Sequence, residues 1–174
     1  VQNLKYNYGG RQSEQEAKSE YLGVAIDEQG MVVTSLANVD PSAFAERLNP
    51  GEEPQYNVEV RSINYLLEDG TEIPAKLILR DNDLDLAYLR PIDKPEVKFS
   101  YIDMNKNFEA KLFEEAFTIG RTGRIAKRTP LAMSGEIQGI VEKPRSFYIP
   151  DSELVSAGSG VPVFNSEGEI LGIV

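Results

Sequence analysis

Ser156-Ala157-Gly158-Ser159-Gly160-Val161-Pro162-Val163-Phe164 is the stretch on which the reading of this chain turns. A serine between two glycines, followed by a short apolar run, is in its plainest reading a tight turn entering a β-strand. The sharper reading puts Ser159 at a nucleophile position. A serine hydroxyl is a poor nucleophile at neutral pH unless an adjacent base takes its proton. The chain has no histidine anywhere in its 174 residues. No lysine lies beside the motif to replace it.

Composition narrows the class. With 41% hydrophobic and 26% charged residues, the chain reads as soluble and globular, one large domain or two small packed ones. A net charge of −10 argues against nucleic acid, whose phosphates demand a basic footprint, and against anionic lipid. Cysteine is absent, so there are no disulfides and no thiolate sites. Without Cys or His, zinc and most transition metals lack their usual ligands, and no acidic loop has the spacing of a calcium-binding EF-hand. No cofactor and no metal is expected. No apolar run is long enough to span a bilayer, which argues against direct membrane insertion. The chain opens on Val1 rather than Met, which reads as a processed or trimmed piece.

Along the chain, the punctuation is that of a β protein. Residues 1–19 are polar and read as an extended, partly disordered arm ending in a helical turn. Leu22–Ile26 and Met31–Thr34 flank the turn Asp27-Glu28-Gln29-Gly30 and make a hairpin. Asp40-Pro41 has the form of a helix start, and Asn49-Pro50-Gly51 the form of its stop. Further strands are expected at Val58–Val60, Ile63–Leu67, Ile73–Leu79 and Leu84–Leu89, with a linker over Pro91–Pro95. Residues 100–109 are polar and irregular. Strands resume at Ala116–Gly120, Met133–Glu142, Arg145–Ile149, Val161–Phe164 and Glu169–Val174. Many short strands with one convincing helix indicate an all-β barrel or sandwich.

Three segments gain meaning from their order: Thr34-Ser35-Leu36-Ala37, then Asp85-Leu86-Ala87-Tyr88-Leu89, then Gly158-Ser159-Gly160. Flanked by Gly23–Val33, Asp69–Lys76 and Gly168–Val174, with Ile119-Gly120 and Ser134-Gly135-Glu136-Ile137 between, they resemble the trypsin-like serine proteases. Within that family they are most similar to the bacterial HtrA (Deg)-type branch, over roughly residues 20–174. The resemblance implies a trypsin-like double six-stranded β-barrel with the active site in the cleft between barrels. Residues 1–19 would be the N-terminal arm, 20–95 the first barrel and 96–174 the second. It places Ser159 at the nucleophile, Asp85 at the acid that orients the base, and Ala37 where the family has histidine. The backbone of Ala157, Gly158 and Ser159 would form the oxyanion hole.

Two departures weaken such a site. Loss of the histidine is worth roughly 10⁶-fold in turnover, on the order of 8 kcal/mol. The residue two before the serine is Ala157 where the family has glycine, and a left-handed conformation there would cost alanine roughly 1–2 kcal/mol. The chain also stops just after the Gly172-Ile173-Val174 strand, short of the edge with which the family pairs substrate. The leading expectation is a non-catalytic protease fold, a pseudoprotease that binds a peptide or protein. The alternatives are an HtrA-type serine endopeptidase whose histidine was exchanged for Ala37, and a structural domain of a larger envelope protein. The resemblance implies a periplasmic, secreted or cell-envelope location. Arg121, Arg124, Lys127 and Arg128 cluster in this acidic chain. They read first as a solvated hairpin loop and alternatively as a docking patch for an acidic partner.

Overall fold

The structure, a computed structural model, describes residues 2–8, 11–41 and 56–174. In chain order its first elements are β1 (Gln2–Tyr8), β2 (Arg11–Ala17), β3 (Val24–Ala25), β4 (Val32–Ser35), the short helix α1 (Leu36–Val39), β5 (Tyr56–Val60) and β6 (Ile63–Leu66). There follow β7 (Glu72–Asp81), β8 (Leu86–Pro91), β9 (Glu115–Arg121), β10 (Pro130–Val141), β11 (Phe147–Pro150), helix α2 (Ser152–Val155), β12 (Pro162–Phe164) and β13 (Ile170–Ile173). Strand accounts for 43% of residues and helix for 8%, so the chain is all-β as expected.

Two five-stranded sheets dominate, in the orders β3-β4-β8-β7-β6 and β11-β10-β9-β12-β13. Each is a curled half-barrel. Strict alternation explains which side faces in. Along β8, Ala87, Leu89 and Pro91 are buried; along β9, Ala116, Thr118 and Gly120 are. The second core gathers Ala110, Ala116, Ile137, Leu154 and Val163, backed by Phe108, Tyr148 and Leu171. The one hydroxyl among these inward positions, that of Thr118, donates to the Pro162 carbonyl at 2.7 Å, so its burial leaves no lone donor.

The double β-barrel stands as expected. Among the described residues each sheet has five regular strands, and irregular chain stands beside them. Phe99 and Ile102 donate their N–H groups to Glu28 and Ala25 alongside β3, and the Phe99 ring meets Tyr65 of β6 edge-to-face at 5.9 Å. Lys106 and Phe108 bond to Ile170 of β13, while Phe113 and Glu114 bond to Ile137 of β10. A turn at Asp103, whose carboxylate accepts the Asn105 N–H at 3.0 Å, breaks this run between the two sheets. Backbone bonds to the first sheet thus run to Ile102 and those to the second begin at Lys106.

Three local expectations change. The segment read as a partly disordered arm ending in a helical turn forms the hairpin β1–β2, and β1 also pairs antiparallel with β5. Leu84 and Asp85 lie outside β8, because the Asp81 carboxylate accepts the N–H groups of Asp83 and Leu84, both at 3.1 Å, and folds a turn there. The helix expected from Asp40 falls, beyond Pro41, outside the described residues; Asp40 itself closes α1, and its carboxylate pairs with Arg80 at 3.1 Å.

The two units meet at Gly160. Its φ is +86°, and a Cβ there would overlap the Leu22 carbonyl and lie 2.6 Å from the Thr34 hydroxyl. Its N–H donates to the Val174 carbonyl at 2.5 Å. Gly135 is required for a different reason: the Asp151 carboxylate occupies the space of its missing Cβ while accepting the N–H groups of Glu136 (3.2 Å) and Leu154 (3.1 Å).

Gly160→Ala is expected to destabilise the chain by roughly 2–4 kcal/mol, from the left-handed backbone and the overlap together. Gly158→Ala, also at positive φ but with nothing within 4 Å, should cost about half as much. Urea denaturation of the two variants checks the order. A second prediction concerns Asp27. Partial burial raises its pKa, but the Met31 N–H, Arg90 and the Gln29 N–H together hold it below the ordinary carboxylate value. A depressed folded pKa gives stability that is present above the unfolded value, about 3.9, and lost as pH falls through the folded one. Asp27→Asn should therefore lower the melting temperature at neutral pH, and the gap to wild type should close as pH drops below about 4 in a melting series.

Candidate active site and its relatives

Each expected site residue is placed by its own turn. Asp85 follows the Asp81 turn with φ +55°, a left-handed conformation uncommon outside glycine and its small polar substitutes. Leu84's N–H, then Asp83's N–H and Arg145, hold the Asp81 carboxyl below its usual pKa, so the turn stays charged and capped. The loop is tied across the molecule by Arg145, 3.3 Å from both Asp81 and Asp83. Asp85 in turn accepts two bonds from the chain that carries Ala37. Its carboxylate takes the Ser35 hydroxyl at 2.5 Å, and its carbonyl takes the Leu36 N–H at 2.7 Å.

Ala37 sits in the middle of α1, half-buried. The next residue, Asn38, reaches the opposite unit. Its amide donates to the Ser159 carbonyl at 3.4 Å and to the Thr34 hydroxyl at 3.2 Å. The Thr34 hydroxyl in turn donates to the Leu22 carbonyl at 2.6 Å. Asp85 and Ser159 are thus both tied to the span from Ser35 to Asn38, with Ala37 between the two tethers. The sequence reading did not assign Ser35 or Asn38 a role. Their signal was only that polar residues flank an alanine in an otherwise apolar run.

Ser159 is exposed, and among the described residues its hydroxyl forms no hydrogen bond. The backbone around it is less open. The Ala157 N–H points to the Leu154 carbonyl at 3.4 Å and the Gly158 N–H to the Val155 carbonyl at 3.1 Å, extending the turn of α2. Positive φ falls on Gly158, at +102°, and not on Ala157. Two of the three N–H groups expected to face an oxyanion are thereby engaged within the chain. An alanine accommodates this arrangement without left-handed strain.

A cleft of about 610 Å³ runs past Ser159, Gly158 and Asn38 toward Tyr21, Arg121 and Arg128. From α1 it is lined by Asn38 and Val39; Ala37 and Asp85 are not on its wall. Among the described residues no group of three or more His, Cys, Asp or Glu side chains could hold a metal ion, and no helix is long and apolar enough to cross a membrane.

Comparison with known proteins follows the same lines. The chain is 32% identical over 154 residues to the probable periplasmic serine endoprotease DegP-like of Rhizobium meliloti (strain 1021), covering 87% of this chain and 26% of that protein. The protein of the same description from Rickettsia conorii (strain ATCC VR-613 / Malish 7) is 26% identical over 163 residues, covering 87% of this chain and 27% of the relative. The chain therefore spans about a quarter of the length of these curated relatives. Among solved structures, the MamO protease domain of Magnetospirillum magneticum, apo form, superposes with a TM-score of 0.53 at 17% identity, covering 99% of this chain and 81% of that one. The serine endoprotease of Yersinia pestis superposes with a TM-score of 0.56 at 18% identity, covering 99% of this chain and 52% of the other. Residues 22–173 match the model of the trypsin-like peptidase domain. Matched over nearly its whole length and folded into two curled β-sheets, the chain belongs to the trypsin-like peptidase domain family.

Proposed function

We propose that this chain is a non-catalytic member of its family, a pseudoprotease that holds an extended peptide or protein segment in the cleft beside Ser159. The observation that carries the reading is the absence of any histidine; the family resemblance puts Ala37 where the base would be. Without an imidazole, the Ser159 hydroxyl has no acceptor for its proton in the attack step. The engaged N–H groups of Ala157 and Gly158 support the same reading, because an oxyanion hole acts only through donors already aimed at the developing charge. Asp85 has a different task in this account. With no base to orient, its carboxylate holds Ser35 and so fixes α1 against β8. Asn38 occupies the bridge to the serine loop and keeps the cleft in one shape.

The cleft's volume lies in the range of small-ligand pockets and of the seat for a few peptide residues. We place the chain in the periplasm or cell envelope, by analogy with relatives named periplasmic serine endoproteases.

A second reading is favoured by one observation: Asp85 and an exposed Ser159 are both retained near Ala37. In that reading the chain is an HtrA-type endopeptidase lacking one residue. Two variants separate the readings. Ala37→His supplies a base that Asp85 could orient, and Ala157→Gly frees the hole. The pseudoprotease reading predicts that wild type binds unfolded β-casein without cleaving it. It also predicts that Ala37→His alone recovers little, and that the double variant exceeds the sum of the singles, since base and hole act on one transition state. Recovery by several orders of magnitude from Ala37→His alone, in a fluorogenic casein assay, would establish the second reading instead.

A further inference from the structure

The loop joining β9 to β10 is built to present something. Within it the N–H groups of Ala126 and Arg128 donate to the Gly123 carbonyl at 3.0 and 3.3 Å, and that of Lys127 to Arg124 at 3.0 Å. The Thr122 and Thr129 hydroxyls both donate to the Ala126 carbonyl, at 3.2 and 2.8 Å. Lys127 and Arg128 are consecutive left-handed residues, with φ of 57° and 55°. Strain of this kind persists only where the surroundings over-determine it, and it clusters at ligand-handling sites. The result is a tight knob whose tip, Ile125, is fully exposed at 103%.

Charge sharpens the point. In a chain of net −10, this loop carries Arg124, Lys127 and Arg128, and Arg121 ends the strand before it. Arg128 is matched by a two-pronged bond to Glu20 at 2.7 and 2.8 Å. Arg121 faces Glu68 only at 3.8 Å, a loose and exposed pair. Arg124 and Lys127 have no ion pair among the described residues. Arg121, Gly123 and Arg128 also line the cleft that holds Ser159, so the knob rises from the cleft's wall, with Arg124, Ile125 and Lys127 outside the lining.

We propose that the peptide taken by this cleft is acidic, with carboxylates seated on Arg124 and Lys127 to either side of an apolar side chain packed on Ile125. This rests on the peptide-binding reading above. It adds the partner's chemistry: an extended protein segment in which Asp or Glu alternates with aliphatic residues. The chain's overall field repels such a segment, so any preference for it has to come from a local cationic patch.

Fluorescence polarisation tests this with two fluorescein-labelled peptides, Glu-Leu-Glu-Val-Glu-Leu-Glu and the same peptide with Gln for each Glu. The expected result is binding of the acidic peptide roughly five- to tenfold tighter than the neutral one at low salt, with the advantage shrinking at about 0.3 M salt. The exposed double variant Arg124→Glu/Lys127→Glu, its fold checked by circular dichroism, should abolish the preference. Ile125→Ser should weaken both peptides. Equal affinity of wild type for the two peptides overturns the charge inference and leaves the peptide-binding reading standing. Failure of both peptides to bind overturns both. A preference that survives the double variant shows that the carboxylates sit elsewhere. Sedimentation of wild type, but not the double variant, as a dimer assigns the knob to a second copy of the chain and overturns the proposal.

Discussion

The hydroxyl of Thr34, almost fully buried at 3% exposure, is the point on which the two halves of the molecule depend. It donates to the Leu22 carbonyl and accepts from the Asn38 amide, and the bare backbone of Gly160 packs directly against it. Leu22, the helix that follows β4 and the serine loop all meet one small polar group. A buried hydroxyl tolerates this position because its donor and acceptor capacity are both used. Gly160 tolerates it because any side chain would collide with Leu22 and Thr34. The serine loop is therefore set against the first sheet by close packing and does not rely on the chemistry of a catalytic triad.

That independence is what the proposed reading requires of a protease scaffold that keeps its shape without a base. In a working triad the acid orients an imidazole that bridges to the serine. Here the corresponding connections are distributed. Asp85 binds Ser35 and Leu36, and Asn38 binds Ser159. The tether on each side of Ala37 is an ordinary neutral or charge-assisted hydrogen bond of modest net worth. In the proposed reading these two bonds and the packed glycine hold the cleft's wall without a triad.

Much of this was legible in the sequence. The order of the Thr34, Asp85 and Ser159 segments carried the resemblance that implied the double barrel, while the short strands by themselves indicated only an all-β barrel or sandwich. The Asp27 turn was readable from its glycine and its aspartate, which caps two N–H groups as such turns do. What was hidden depended on long-range geometry. Asp85 reads as part of an apolar strand, and only the Asp81 cap shows that the strand begins after it. The closing segments at residues 99–102 and 106–114 carry no β alternation, since they are held by a few backbone bonds and by Phe99 against Tyr65. Asn38 lies 121 residues from its partner Ser159, so no local pattern could reveal the contact. The pairing of β1 with β5 was hidden in the same way, because a polar segment gives no sign of its partner strand.

The central claim is that Ser159 has no group to activate it. Reaction with a fluorophosphonate, followed by intact mass measurement at neutral pH, addresses that directly, because the reagent reports proton removal from the serine without needing a substrate. The account predicts an unmodified mass after prolonged exposure to excess reagent. A stoichiometric adduct that disappears in Ser159→Ala would contradict it, for some other residue would then be acting as the base.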